Sequence, residues 1–136
     1  MSRSGYKDYD DDGAYPLALY RGAVRSSIRG KRGQALMKDL ASAMDAMPIK
    51  RLIAGELTHD GESCALGVVG HARKVDLSKV DPYDAETIAG KLDVADCLAR
   101  EVAYENDEHW PPETPEQRWT RMRAWVGRMI NSEEKP

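Results

Sequence analysis

Apolar residues recur every three or four positions through most of this chain, and glycines and prolines interrupt the pattern at intervals. Leu36, Leu40, Met44 and Met47 follow one another in this way, and Pro48 ends the run. Such spacing places side chains on one face of an α-helix, whereas a half-buried strand needs strict alternation. The pattern predicts a mainly helical chain in which each helix buries one apolar face.

A first helix is predicted upstream of this run. It begins at Ala14, and Gly30 offers a stop. The residues on its apolar face are Leu17, Tyr20, Val24 and Ile28. The turn 30–33 then joins the two helices into a helical hairpin.

The middle of the chain carries the main strand signal. Asp60-Gly61 is a turn pair that often joins two antiparallel strands, so we expect a short β-hairpin around residues 51–64. The apolar run Cys64–Ala72 fits both a buried strand and a packed helix, because a short apolar run does not fix the period. We favour a short helix after Cys64, and the strand remains the alternative.

Three further helix starts follow. Asp81-Pro82 predicts a helix that runs to about Leu92, and Asp93 is expected to cap the next one, which ends near residues 104–106. Thr114-Pro115 with Gln117 is the clearest capping box of the chain and begins the last helix. The predicted fold class is α+β, predominantly helical, with five or six helices and one short β-hairpin.

The length of 136 residues fits one domain. We divide the chain into a flexible acidic arm (1–13), a single globular domain (14–130) and a frayed tail (131–136). No apolar run is long enough to span a membrane, and Cys64 and Cys97 are expected to be buried thiols without a disulfide. These features favour a cytoplasmic protein that needs no cofactor.

Charge is distributed unevenly, although the formal net charge is only −3. Five cations cluster on the predicted first helix and the turn after it, and we call this set the basic tip: Arg21, Arg25, Arg29, Lys31 and Arg32. The three arginines are four residues apart and therefore share a helix face. With Trp110, which lies in a proline-containing loop, the basic tip is the predicted partner-binding surface; the alternative is a solvated face neutralised by nearby acids.

Other patterns were weighed for function. Residues 8–13 match the first half of a calcium loop but lack the closing glutamate, since Leu19 stands in its place. Residues 86–102 resemble a DNA-reading helix pair, but the second helix carries too many acids to approach phosphates. His59, His71 and His109 lack the close ligand spacing of zinc sites, and the acidic stretch from Glu101 to His109 is a distant candidate for a metal or enzyme site.

Several short motifs together resemble a known group of proteins. They are SRSGY at residues 2–6, RGKRGQ at 29–34, CALG at 64–67, YENDE at 104–108 and ETPEQRW at 113–119. The combination is similar to small uncharacterised proteins encoded by phages and prophages of proteobacteria, over nearly the whole chain, and also to a broader domain family of unknown function. The resemblance implies a bacterial cytosol, a mobile genetic element and an accessory role, but no mechanism.

Two functional hypotheses follow. The first is a non-enzymatic accessory protein that binds a host or phage protein through the basic tip. The second is nucleic-acid binding by the same cations, with phosphates as ligands and little sequence preference. The sequence contains no standard catalytic motif, so we expect no enzyme and no metal.

Overall fold

The computed structural model describes Arg3 and residues 14–131, except for the side chains of residues 14–18 and of residue 131. The helices of this part are α1 (Ala14–Arg29), α2 (Lys31–Ala46), α3 (Ala65–Ala72), α4 (Ala85–Leu92), α5 (Asp96–Asp107) and α6 (Pro115–Asn131). Strands β1 (Thr58–His59) and β2 (Glu62–Ser63) form one antiparallel pair before α3. The predicted fold class, α+β and predominantly helical, is confirmed.

Helices α2 and α5 lie at the centre of the fold. Helix α2 packs against α1, α3 and α6, while α5 packs against α1, α3, α4 and α6. Leu36, Leu40 and Met44 are completely buried, as the spacing on α2 predicted. Burying each such side chain stabilises the fold by roughly 1.5–3 kcal/mol relative to leaving it exposed. The two central helices therefore hold the others in place.

A single residue, Gly30, separates α1 from α2. The start of α2 lies directly against the last turns of α1, because a β-carbon on Gly33 would be only 1.9 Å from the carbonyl oxygen of Ser27. The buried side chain of Gln34 fixes the crossing, since its Nε2 donates to the carbonyl oxygens of Ile28 and Met129 at 2.7 and 3.1 Å. The predicted helical hairpin has a rigid tip for this reason.

Helices α1 and α5 run antiparallel. Arg21, in the middle of α1, contacts Glu101 in the middle of α5, whereas Ser27, near the end of α1, lies 3.2 Å from Cys97 in the first turn of α5. The end of the helical hairpin is consequently beside the N-terminal end of α5. Cys97 is only partly buried, which corrects the expectation that both thiols are fully covered; Cys64 is buried.

The β-hairpin forms at the predicted turn. Thr58 pairs with Ser63 and His59 with Glu62. Asp60 and Gly61 between them have positive φ angles of 51° and 82°, the conformation that a two-residue hairpin turn requires. The run after Cys64 is the helix α3, and its residues 65–70 are all buried. The favoured helical interpretation is confirmed.

Two helix boundaries differ from the prediction. Asp81 closes a turn, with its carboxylate accepting from the backbone of Tyr83, so the helix starts three residues later, where Asp84 accepts the backbone N–H of Thr87 at 3.1 Å. Asp93 does not cap α5. It ends α4 in the left-handed conformation, with φ at 59°, and Ala95 precedes the first turn of α5 instead.

Helix α6 begins at its predicted capping box. The Thr114 hydroxyl oxygen accepts from the backbone of Gln117 at 3.1 Å, and the Gln117 side chain accepts from the backbone of Thr114 at 2.9 Å. The start of the helix is also held by an arginine. Arg118 donates to the carbonyl oxygens of Asn106 and Leu52, both at 3.0 Å, and is largely covered.

The two tryptophans of α6 differ in burial. Trp125 is only 6% exposed, whereas Trp119 is partly buried against the core. The Nζ of Lys50 lies 5.4 Å from the Trp119 ring centre. Within residues 14–131, no helix is both long and apolar enough to cross a membrane.

Candidate functional site: the basic tip

Four of the five residues of the basic tip are exposed at the junction of α1 and α2, and three of these have no ion pair with a described carboxylate. Arg25 and Arg29 stand one helical turn apart on α1, and Lys31 opens α2. In the part of the chain that the structure describes, no carboxylate forms an ion pair with any of the three. Their charges are therefore available to a ligand at this end of the molecule.

Arg21 has a different environment from the rest of the basic tip. Its guanidinium contacts the carboxylate of Glu101 at 3.2 Å and lies 5.3 Å from the ring centre of Tyr104. Glu101 is only 5% exposed, so Arg21 neutralises a buried acid of the chain itself. Although the four-residue spacing is as predicted, Arg21 faces α5 and does not join the exposed cations.

Arg32 is exposed but has an internal partner. Its Nη1 lies 3.1 Å from a carboxylate oxygen of Asp93, and both side chains remain mostly in solvent. Pairs of this kind contribute little to stability, typically less than about 1 kcal/mol, and open readily. Arg32 can bind an acidic group of a ligand only after it releases Asp93. Arg25 and Arg29 have no such ion pair with a described residue to break.

Two helix ends meet at the basic tip. Gly30 caps α2 without a side-chain hydrogen bond, and the first turn of α2 has no acidic residue. The helix dipole is positive at the N-terminal end of α2 but negative at the C-terminal end of α1, which is only one residue away. The positive charge of the tip therefore comes from its side chains.

Trp110 does not lie beside the basic tip. It is 83% exposed and follows the C-terminal end of α5, whereas the basic tip meets the N-terminal end of that helix through Arg32 and Asp93. A helix of 12 residues is about 18 Å long. The structure thus separates the two parts of the predicted partner surface, and a partner must be large to reach both.

Helices α4 and α5 have the sequence pattern weighed for DNA reading, and Asp93 adopts the left-handed turn conformation between them. However, α5 is buried on most sides, with Leu98, Glu101, Val102 and Asn106 all enclosed. A reading helix must present a free face to the major groove. The packing of α5 leaves no such face among its central residues.

Sequence reasoning missed a buried polar cluster around Asp107. Arg3, the one described residue of the predicted flexible arm, is 3% exposed and holds the Asp107 carboxylate through two hydrogen bonds of 2.6 Å. Asp107 also accepts from the backbone of Gly55 and from the Asn106 side chain, at 3.1 and 2.8 Å. The partial calcium loop at residues 8–13 lies outside the described residues.

This cluster also fixes the start of α3. Asn106 is fully buried, accepts the backbone N–H of Ala65 at 3.1 Å and donates to the carbonyl of Ile53 at 2.9 Å. The Arg3 guanidinium lies 3.5 Å from the sulfur of Cys64. Burial alone would raise the pKa of Asp107, but the hydrogen bonds and charge of Arg3 lower it overall. The sequence signals of this cluster are the motifs that hold its members, SRSGY, CALG and YENDE.

The acidic stretch from Glu101 to His109 does not gather into a metal site. Glu101 pairs with Arg21, Asp107 with Arg3, and Glu105 lies 3.9 Å from Arg121. Burial, followed by repulsion from Glu101, raises the pKa of Glu105. No group of three or more potential metal ligands occurs among the described residues. The stretch is an ion-pair network that joins α5 to its neighbours.

A groove lies at the opposite end of α2 from the basic tip. It has a volume of about 840 Å³ between the end of α2, the β-hairpin and α3. Ala43, Val68 and Ala72 line it together with Met47 and Ile49. The predictions from the sequence did not include this groove, because its walls come from three separate segments.

Comparison with known proteins finds no matching family model, no significantly similar curated protein and no significantly similar solved structure.

Proposed function

We propose that this protein is a non-enzymatic accessory protein of a phage or prophage that binds an acidic surface of a host or phage protein. The observation that carries the proposal is the exposure of Arg25, Arg29 and Lys31, with no ion pair to any described residue. The mobile-element context rests on the motif resemblance alone. The binding surface rests on the geometry of the basic tip.

The contrast with the other arginines supports this surface. Eight arginines in the described part form ion pairs with the chain's own carboxylates: Arg3, Arg21, Arg32, Arg51, Arg73, Arg118, Arg121 and Arg123. In a chain whose acids outnumber its lysines and arginines by 23 to 20, internal partners are plentiful. Arg25 and Arg29 nevertheless project from α1 with no ion pair to a described carboxylate, which favours an external partner.

A protein partner suits the surroundings of the tip better than a nucleic acid does. Asp93 and Asp96 are both exposed at the turn between α4 and α5, beside the tip. These carboxylates repel phosphates, which form a continuous row of negative charge along a nucleic acid. A folded protein surface can place basic groups opposite the aspartates and acids opposite the arginines.

The test is a charge reversal with a matched control. Tagged wild-type protein should capture one partner at a constant ratio from cells that carry the phage or prophage, and the purified pair should then be measured by calorimetry. R25E/R29E is expected to weaken binding at least tenfold, since like charges would then face each other. K79E/K91E makes the same change in net charge at exposed lysines of residues 79–91 and should bind normally.

Equal binding by R25E/R29E and wild type would reject this surface. Nucleic acid is the second outcome of the same test. If three phosphates are neutralised, the logarithm of the binding constant for duplex DNA should fall against the logarithm of salt concentration with a slope of roughly −2.7. Such a slope in wild type, lost in R25E/R29E, would replace the acidic protein with a nucleic acid.

A further inference from the structure

The groove at the C-terminal end of α2 combines an apolar floor with an exposed apolar wall. Val68 on α3 is 8% exposed at its base, and Ile49 is 67% exposed at its edge. Ala43 and Ala72 are small, which leaves the space open between α2 and α3. A volume of about 840 Å³ is in the range of clefts that hold several apolar groups of a ligand.

The lip of this groove is acidic. Asp60 and Glu62 of the β-hairpin line it, and Glu56, two residues before β1, lies beside the hairpin through its contact with His59. The side chains of Glu56 and Asp60 are 54% and 86% exposed. Arg51 is the one cation among the lining residues, and it is already bound by Glu62 at 3.0 Å and by Glu116 at 2.9 Å. Glu56 and Asp60 contact His59, at 3.7 and 3.2 Å, and no arginine or lysine of the described residues forms an ion pair with either carboxylate.

We propose that this groove binds a segment of a partner protein whose apolar side chains are flanked by lysine or arginine. The apolar floor takes the anchors of an amphipathic segment, and the acidic lip takes the flanking cations. Charge argues against the chain's own ends as occupants. Residues 4–13 carry four aspartates against one lysine, and residues 132–136 carry two glutamates against one lysine.

The groove is a second surface and goes beyond the proposed function. The basic tip begins α2 and the groove lies at its end, so the 16 residues of α2 separate them by about 24 Å. The two surfaces also have opposite charge. Loss of one by mutation therefore leaves the other available, and the failure of one proposal is distinguishable from the failure of the other.

The experiment uses two labelled peptides of about 14 residues, long enough to form a helix on binding. One repeats leucine pairs at helical spacing with lysine between them, and the other has glutamate in place of every lysine. The lysine peptide should bind the full chain and shift the backbone NMR signals of Ala43, Val68 and Ala72. The glutamate peptide should bind at least tenfold more weakly.

Substitutions then locate the interaction. Ile49→Gln is expected to weaken binding of the lysine peptide about tenfold, and E56Q/D60N about fivefold. Asparagine tolerates the left-handed backbone that Asp60 adopts, so the turn should remain intact. Leu19→Gln is the matched control, because Leu19 is similarly exposed, at 59%, on α1. R25E/R29E should leave this peptide's binding unchanged.

Three results would overturn the proposal: equal binding of both peptides, signal shifts confined to other residues, or full binding by Ile49→Gln. Self-association is a further outcome. A dimer that forms with rising concentration in sedimentation and that Ile49→Gln disrupts would assign the groove to a second copy of the chain.

Discussion

Arg3 stabilises the fold through a single carboxylate that several parts of the chain share. Its guanidinium is 1% exposed and the Asp107 carboxylate 13% exposed, and the two groups meet at 2.6 Å. Asp107 in turn holds the backbone of Gly55 and the side chain of Asn106. Removing the cation would therefore leave a buried charge that only neutral donors compensate.

Arg3→Met is expected to lower the free energy of unfolding by about 3 kcal/mol, measured by urea denaturation. In the double variant R3M/D107N the buried charge is gone, so the total loss should be clearly smaller than the sum of the two single losses. Lys7→Met changes a basic residue of the same segment by the same amount of charge and serves as the control. A change below about 0.5 kcal/mol for Arg3→Met would contradict the role given to this contact.

Whether the environment of a side chain could be predicted depended on how far from it in the sequence its partner lies. The exposure of Arg25, Arg29 and Lys31 agrees with their helical spacing, since a face can be read from one helix alone. The contact of Arg21 with Glu101 joins residues 80 positions apart, and that of Arg3 with Asp107 joins residues 104 apart. No local pattern encodes such pairs, which is why Arg21 was grouped with the exposed cations.

Helices were predictable where apolar spacing and an end signal agreed. Helix α6 begins at Thr114, where the capping box and the first proline coincide. At α4 two aspartates compete, and Asp84 forms the cap because Asp81 already closes a turn with Tyr83. The exit of α4 was misread in the same way, since Asp93 can either cap a helix or adopt the left-handed conformation that ends one.

Gly67 is the residue through which α3 approaches the β-hairpin. An added β-carbon would lie 2.2 Å from the carbonyl oxygen of Leu57, so Gly67→Ala must push the two elements apart. We expect a loss of about 1–3 kcal/mol in the free energy of unfolding. Gly90→Ala on α4 is the control, because nothing lies within 4 Å of its β-carbon position, and it should stabilise by about 0.5–1 kcal/mol. Equal effects of the two variants would show that α3 and the hairpin are not in close contact.

At the scale of the whole molecule, ion pairs between distant segments tie the helices together. Arg121 holds Glu113 at 2.6 Å beside the covered Arg118, Arg123 of α6 holds Asp45 of α2 at 2.8 Å, and Arg73 after α3 holds Asp39 of α2 at 2.8 Å. Hydrogen bonds from Arg121 and Arg123 lower the pKa of Glu113 and of Asp45, so these two carboxylates favour the charged form. This arrangement makes the stability of the protein sensitive to acid.

Among the carboxyl groups of the described residues with a clear shift, five have a lowered pKa and one a raised pKa. Hydrogen bonds from Arg123 and Arg121 lower the pKa of Asp45 and of Glu113. Hydrogen bonds from Ser78 and Thr87 do the same for Asp76 and Asp84. The pKa of Asp107 is lowered by Arg3, against the effect of burial. A carboxyl group with a lowered pKa stabilises the fold above its unfolded pKa, and that stability is lost as the pH falls through the folded value. Burial and the charge of Glu101 raise the pKa of Glu105, so this group acts in the opposite direction: its contribution to the stability of the fold is lost as the pH rises.

Among the shifted groups of the described residues, five carboxyl groups have a lowered pKa and only Glu105 has a raised one, so acid should destabilise the fold. The urea midpoint should be steady above about pH 5 and should fall as the pH passes below 4.5 and 3.8, the ordinary pKa values of Glu and Asp. Glu113→Gln should make this fall shallower, because one group that binds a proton on unfolding is gone. Glu105→Gln should make it steeper and should raise the midpoint at neutral pH relative to wild type, since its opposing contribution is removed. A midpoint that stays constant or rises between pH 5 and pH 3 would contradict this prediction. It would mean that these ion pairs do not stabilise the fold and that the apolar packing of α2 and α5 holds the helices together without them.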